Sequence, residues 1–325
     1  MRCRWLVALV LLFGCDCDGE GAGGASSTDS ERTIAVIPKG TTHEFWRSIH
    51  AGANKAGQEL GVAVLWQGPL REDDRTGQVQ VVENMIARGV DGIVLAPLDD
   101  TALVPVAREA AREEIPLVII DSDLDWDGRV SFVATDNHLG GKLAAERLGG
   151  LLEGEGTALL LRYQEGSAST MAREAGFLEG MADFPAIELV STNQYGGATT
   201  ETAYATAENL LVSHPEVQGV FCPNESTTFG MLRALRDAGK AGEVKFVGFD
   251  SSETLVAGLR DGHLHGLVLQ NPFRMGELGV RSIVDHLRGE PVEARVDTGV
   301  TMVTQDNMDE ADVQSVLLPD LSAWL

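Results

Sequence analysis

Basic residues are scarce in this chain. Across 325 residues, 25 Lys and Arg face 49 Asp and Glu, a formal charge of -24. A long-range attraction to phosphate backbones is therefore missing, which excludes nucleic acid as a partner, and the acidic excess serves solubility. Cysteine is nearly absent as well. Past residue 17 only Cys222 remains, set in a Val-Phe-Cys-Pro run that reads as buried apolar chain, so neither a disulfide framework nor thiol chemistry is expected. The uncharged stretch at 5–13 is too short to span a bilayer. Catalytic signatures are missing too: there is no nucleophile elbow, His-Glu-x-x-His helix, P-loop or dinucleotide glycine fingerprint. Gly154-Glu155-Gly156 is a fragment that precedes a strand where the fingerprint follows one. His263 and His265 have no third ligand at a recognisable spacing, so no metal site is expected, and no enzyme or cofactor is predicted.

What is present suits a large core: 44% of residues are hydrophobic and 23% charged, enough for one large domain or two ordinary ones. From residue 33 short β-branched runs alternate with amphipathic stretches, the pattern of βα units on parallel sheets. Strands are predicted at 33–37, 63–66, 92–96, 117–121 and 131–134, with helices at 44–60, 76–88 and 101–113. Gly61, Gly89, Gly92 and Pro116 punctuate the helix ends. A second set repeats the order, with strands at 158–162, 187–193, 219–222, 245–249 and 266–270 and helices at 169–182, 199–214, 226–238 and 253–261. A last helix at 274–288 follows the Gln270-Asn271-Pro272 break, and a strand-like stretch at 296–303 precedes the tail. The repetition predicts two similar α/β lobes.

The N-terminus reads as an export signal: Arg2 and Arg4, the uncharged run, then Gly14 before Cys15. Leu12-Phe13-Gly14-Cys15 resembles the lipobox of bacterial lipoproteins, which implies a signal peptide at 1–14 and lipidation of Cys15. Simple signal cleavage is the alternative, and Cys17, after Asp16, is the weaker acceptor. Residues 15–31, rich in Gly, Ala and Ser, read as a flexible tether to the membrane.

In open parallel sheets ligands lie beyond the carboxyl ends of the strands, and polar residues gather there: 39–43, Asp121-Ser122-Asp123, Thr135-Asp136-Asn137, Asn224-Glu225, Asp250 and Gln270. With Ile34-Ala-Val-Ile-Pro38, Phe45-Trp46, Asp91-Gly-Ile-Val-Leu-Ala-Pro97, Arg173-Glu-Ala-Gly-Phe177 and Val247-Gly-Phe-Asp250, in order over residues 33 to 303, the chain resembles the type I periplasmic binding proteins. The likeness is to the ribose-binding-like branch, which shares its fold with the ligand domains of LacI-type repressors. The resemblance implies two doubly wound parallel-sheet lobes joined by crossover hinges, 32–135 with 271–297 and 136–270 with 298–325. It also implies capture of a small polar ligand, most simply a monosaccharide, and its delivery to an ABC transporter permease by a monomer in the periplasm or cell envelope. A receptor that presents a sugar or an autoinducer-2-like signal to a chemoreceptor or sensor kinase is the alternative. A LacI-type regulator would need a basic helix-turn-helix where this chain has its signal and tether.

By the same resemblance Phe45 and Trp46 stack on the sugar, with Tyr195 as a further ring. Asp121 and Ser122 accept hydroxyls, Arg173 offers a planar fork, and Asn137, Asn224, Asp250 and Gln270 complete the set. Duller readings stand beside these: Asp250, Asp136 and Asn137 as helix caps, Phe45 and Trp46 as core, Arg173 in a surface ion pair. Lys39 and Ala96 depart from the ribose binders. With the Gly68-Pro69 turn, Lys39 looks more like the autoinducer-2 and rhamnose binders. A buried Lys39 needs a partner, either Asp121, Asp123 or an anionic or carbonyl-bearing ligand.

Overall fold

The computed structural model describes residues 32–325; the expected signal, the lipidation at Cys15 and the tether at 15–31 lie outside them. Among the described residues the strands are β1 (Thr33–Ile37), β2 (Ala63–Trp66), β3 (Gly92–Leu95), β4 (Leu117–Ile120), β5 (Ser131–Ala134), β6 (Glu155–Arg162), β7 (Ala186–Tyr195), β8 (Gly219–Phe221), β9 (Lys245–Phe249), β10 (Gly266–Leu269), β11 (Arg295–Asp297) and β12 (Thr301–Val303). They form two sheets of six, ordered β11-β5-β4-β3-β1-β2 and β12-β10-β9-β8-β6-β7. Every pairing is parallel except β10 with β12. In each sheet the strand order reverses beside the first strand, at β1/β3 and at β6/β8, and such a reversal opens a crevice at the carboxyl ends.

Helices α1 (Glu44–Leu60), α2 (Arg75–Arg88), α3 (Val104–Arg112), α4 (Asn137–Leu151), α5 (Ala168–Met181), α6 (Thr200–Ser213), α7 (Glu225–Asp237), α8 (Glu253–Arg260), α9 (Pro272–Leu287) and α10 (Ala311–Leu317) cover both faces of the sheets. Apolar side chains of α1 and α9, such as Ile49 and Ile283, bury against one face of the first sheet, and those of α2 and α3, such as Met85 and Val106, against the other. Each such side chain taken from water contributes about 1.5–3 kcal/mol. The second sheet is sandwiched the same way, by α4 and α5 on one side and by α6, α7, α8 and α10 on the other. Two helix pairs, α1 with α9 and α4 with α5, cross backbone to backbone. A Cβ on Gly141 would stand 2.0 Å from the Arg173 carbonyl oxygen, and one on Gly176 2.0 Å from that of His138. Only glycine lets α4 and α5 approach so closely, and the approach brings Asn137 to Arg173.

The chain passes between the sheets three times: between β5 and α4, between β10 and α9, and between β11 and β12. The first and third passages lie side by side, with Thr298 N donating to the Ala134 carbonyl at 3.2 Å and the Thr135 and Thr298 hydroxyls 3.3 Å apart. The strand expected at 296–303 is thus two strands in two sheets, because Gly299, at φ 89°, turns the chain between them. Gly61 and Gly89 do end helices in the left-handed conformation. Gly92 instead opens β3, where a Cβ would meet Ile283 of α9 at 2.4 Å. Helix α10, not foreseen in the tail, forms because Val313 and Leu317, four residues apart, bury together in the second lobe.

Candidate functional site

Two aspartates lie at equivalent strand ends. Asp121 follows β4 and Asp250 follows β9; both adopt the left-handed conformation, at φ 62° and 68°, which few residues other than glycine accept. Their amides donate to the next strand, Asp121 to the Val133 carbonyl at 3.1 Å and Asp250 to that of Val268 at 2.9 Å. The side chains line a small cavity between the sheets, together with Lys39, His43, Phe45, Trp46, Glu72, Tyr163, Ser169, Thr170, Arg173, Asn224, Glu225 and Gln270.

Lys39 Nζ stands 2.8 Å from Asp121 Oδ2 and donates to the Ser169 hydroxyl at 3.1 Å. This settles which partner the lysine takes, since Asp123 pairs with Arg129 at 3.1 Å. Arg173 is 2% exposed, so it is no surface ion-pair residue. It donates from Nε to Asn137 Oδ1 and from Nη1 to the Pro223 carbonyl, both at 2.8 Å, and lies 4.0 Å from the centre of the Phe249 ring. Its remaining charge faces Asp250 at 3.9 Å and Asp121 at 4.0 Å. Burial pulls the guanidinium below its ordinary pKa while those carboxylates oppose the shift. Burial also raises the Asp250 carboxyl, against the pull of Arg173. Asp250 accepts from the Glu225 amide at 3.1 Å and Gln270 Nε2 at 2.7 Å, and the cap of α8 is Ser252.

The aromatic wall is Phe45 and Trp46, edge to face with centroids 4.9 Å apart. Both rings also belong to the core of the first lobe, as the core reading of this pair expects. The indole N–H donates to Glu72 at 2.5 Å, as does His43 Nδ1 at 2.7 Å, and the Tyr163 hydroxyl reaches the other carboxylate oxygen. Burial works against charge on both Glu72 and His43, yet their mutual attraction prevails and leaves Glu72 at about 2 and His43 at about 9. Helix α1 has no side-chain cap of its own. Glu225, at the start of α7 in the other lobe, accepts from the Glu44 and Phe45 amides at 3.4 and 3.3 Å. Burial, with Asp250 adding to it and His43 opposing, raises its carboxyl to about 7.

Three expected site residues stand outside the cavity wall. Asn137 orients Arg173 from behind, while Asp136 caps α4. The Ser122 hydroxyl accepts from the Ser169 amide at 3.0 Å and so fastens the wall from outside. Tyr195 ends the edge strand β7, 38% exposed with Arg162 over its ring at 5.8 Å, and is not in the cavity because β7 is the strand farthest from the crossovers. Asn224 lines the wall and also caps α7. His43 and Glu225 belong to polar strand-end runs noted in the sequence but were given no role there, and Glu72, Tyr163, Ser169 and Thr170 were missed. Tyr163 follows a strand end and the rule that found Asp121 would have reached it; Glu72 sits in a loop with no periodic signal.

The cavity encloses about 30 Å³, far less than the roughly 300–1,000 Å³ of an ordinary ligand cleft, so a guest enters only if the lobes part. Contacts hold the lobes together: Gln164 Nε2 to the Glu72 carbonyl at 3.0 Å, Arg75 Nη2 to that of Glu165 at 2.8 Å, and the Asp100 amide to that of Gly166 at 2.9 Å. A larger groove of about 770 Å³ beside it, under the C-terminal tail, shares only Phe45, Asp250 and Gln270 with the cavity. Away from the site, Cys222 is buried and its thiol pushed well above the ordinary range by that burial. His263 and His265 accept hydrogen bonds from Arg236 Nε and the Phe246 amide, at 3.2 and 3.1 Å.

Comparison with known proteins agrees with this architecture. The family model described as "Periplasmic binding protein domain" matches residues 34–291. A D-ribose/D-allose-binding protein of Pseudomonas aeruginosa is 30% identical over 313 residues, 93% of this chain and 98% of that protein. A ribose import binding protein of Bacillus subtilis is 28% identical over 86% of this chain and 90% of its own length. Among solved structures, a carbohydrate transporter solute binding protein from Agrobacterium radiobacter in complex with D-arabinose superposes with a TM-score of 0.86 at 33% identity, covering 89% of this chain and all of that one. An ABC transporter solute binding protein from Agrobacterium vitis with bound D-fucose gives 0.85 at 37%, over 88% and 99%. Two parallel-sheet lobes, three passages between them and a walled cavity at their strand ends accordingly place this chain in the periplasmic binding protein domain family.

Proposed function

We propose that this protein captures a neutral monosaccharide between its lobes and hands it to an ABC transporter permease, without catalysis. The observation that carries the neutral charge is the pairing within the cavity. Lys39 is matched by Asp121, His43 by Glu72, and Arg173 by Asp121 and Asp250 together. No cation is left over for a carboxylate or phosphate on the ligand, and Glu225 adds a further acid. What the wall offers instead suits hydroxyls and a ring face: acidic acceptors, a guanidinium fork, hydroxyl side chains and two aromatic rings. Gln270 Oε1 is, among the described residues, the one buried side-chain polar atom without a partner, and a sugar hydroxyl would satisfy it.

The contributing residues are Lys39, Phe45, Trp46, Asp121, Arg173, Asn224, Asp250 and Gln270, backed by Ser122 and Asn137. Because both lobes supply contacts, ligand binding favours the closed arrangement. The protein works as a monomer in the periplasm, exported by residues 1–14 and anchored through a lipidated Cys15. Small-angle scattering tests the closure: the radius of gyration falls when the sugar is added, and an unchanged profile at saturation contradicts the proposal. Labelling with a radioactive fatty acid tests the anchor, with incorporation expected in the wild type and lost in Cys15→Ala.

A further inference from the structure

We propose that Glu72 is a positioning residue that makes lobe closure and completion of the aromatic wall a single event, an inference that rests on the sugar-capture reading above. Glu72 is 6% exposed, in the loop after β2. From its own lobe it takes the Trp46 indole N–H and His43 Nδ1; from the other lobe it takes the hydroxyl of Tyr163, just past β6. Tyr163 is in turn held by Glu174, which accepts its amide at 3.1 Å and Arg162 Nη1 at 3.0 Å. A continuous chain of charged hydrogen bonds thus runs from the second lobe to the ring wall of the first.

The carboxylate has the capacity for this. It accepts three side-chain donors at once, and the His43 partner keeps it ionised, which strengthens each bond. When the lobes part, Tyr163 leaves Glu72, and the indole keeps its anchor but loses the partner that encloses it. Closure restores the Tyr163 contact over the anchored indole, so the bond acts on release of the ligand more than on its entry.

Stopped-flow kinetics on the mature protein, with a sugar that stabilises the wild type, test this. Tyr163→Phe is expected to speed dissociation about tenfold, the usual size for losing one hydrogen bond to a charged group. Association stays within about twofold and the melting temperature of the ligand-free protein is unchanged. Glu72→Gln is expected to speed dissociation as well, and adding Tyr163→Phe to it has little further effect, since the two residues act through one contact. Dissociation of Tyr163→Phe at the wild-type rate overturns the inference and leaves sugar capture standing. So does a loss of affinity matched by an equal loss of ligand-free stability, which marks a purely structural role. A wild type that binds no sugar overturns both readings.

Discussion

Asp121 and Asp250 are counterparts: each follows the fourth strand of its sheet in chain order, each is left-handed, and each bonds its amide to the neighbouring strand. Their surroundings differ, since Asp121 carries the Lys39 ammonium while Asp250 takes the Glu225 amide and the Gln270 amide group. Both share Arg173, which joins the two lobes' acids at one guanidinium.

The Lys39–Asp121 pair is 4% exposed at each side chain. Asp121→Ala leaves a buried ammonium without its partner and is expected to cost about 3–5 kcal/mol of stability, read by urea unfolding. Lys39→Met combined with Asp121→Asn, which tolerates the left-handed backbone, removes both charges and is expected to regain most of that loss while binding no sugar. A double variant as unstable as the single one would show that the charges are not the cause.

Arg173→Lys keeps a cation but loses the fork that joins Asn137 to the Pro223 carbonyl. Affinity for the sugar is expected to fall about a hundredfold, the equivalent of two lost charged bonds, by titration calorimetry. Retained affinity would mean that charge alone, without the planar geometry, suffices.

Much of this was legible in the sequence. Helix α1 and the strands β1, β2, β5 and β9 fall where the patterning puts them, because β-branched runs and glycine C-caps are local signals. Lys39, Asp121, Arg173 and Asp250 were reachable because strand ends and family motifs mark them. Glu72 and Ser169 were not, since their places depend on how one lobe meets the other, which no local pattern encodes. Tyr195 went astray for the opposite reason: a ring at a strand end matters only if that strand is near the cleft, and β7 is an edge.

Gly166 sits where the lobes touch, at φ 87°, and a Cβ there would stand 2.3 Å from Asp99 Oδ2. Gly166→Ala therefore combines a strained conformation with a clash across the interface. Sugar affinity is expected to drop at least about tenfold, equal to some 1.4 kcal/mol, with little change in ligand-free melting. Equal affinity in Gly166→Ala would show that the lobes do not meet here in the bound form.

His265 is held neutral. Burial, with Lys245 and Arg147 adding to it, lowers its pKa to about 4 while Nδ1 accepts from the Phe246 amide. The folded value lies below the ordinary 6.5, so the unfolded chain binds more protons in between. The stability this contributes is complete above pH 6.5 and is lost as pH falls through 4, roughly 2 kcal/mol once partial exposure is allowed for. Urea unfolding across pH 4 to 7 should show that slope in the wild type and a flatter one in His265→Asn; equal slopes would remove His265 as the source.

The most direct measurement is a thermal-shift panel on the mature protein, run with neutral aldoses and ketoses beside sugar acids and sugar phosphates. A neutral monosaccharide should raise the melting temperature in a concentration-dependent way, as mass action requires, while the charged sugars leave it unmoved. Stabilisation by an acid or phosphate with none by any neutral sugar would contradict the charge pairing on which this account stands.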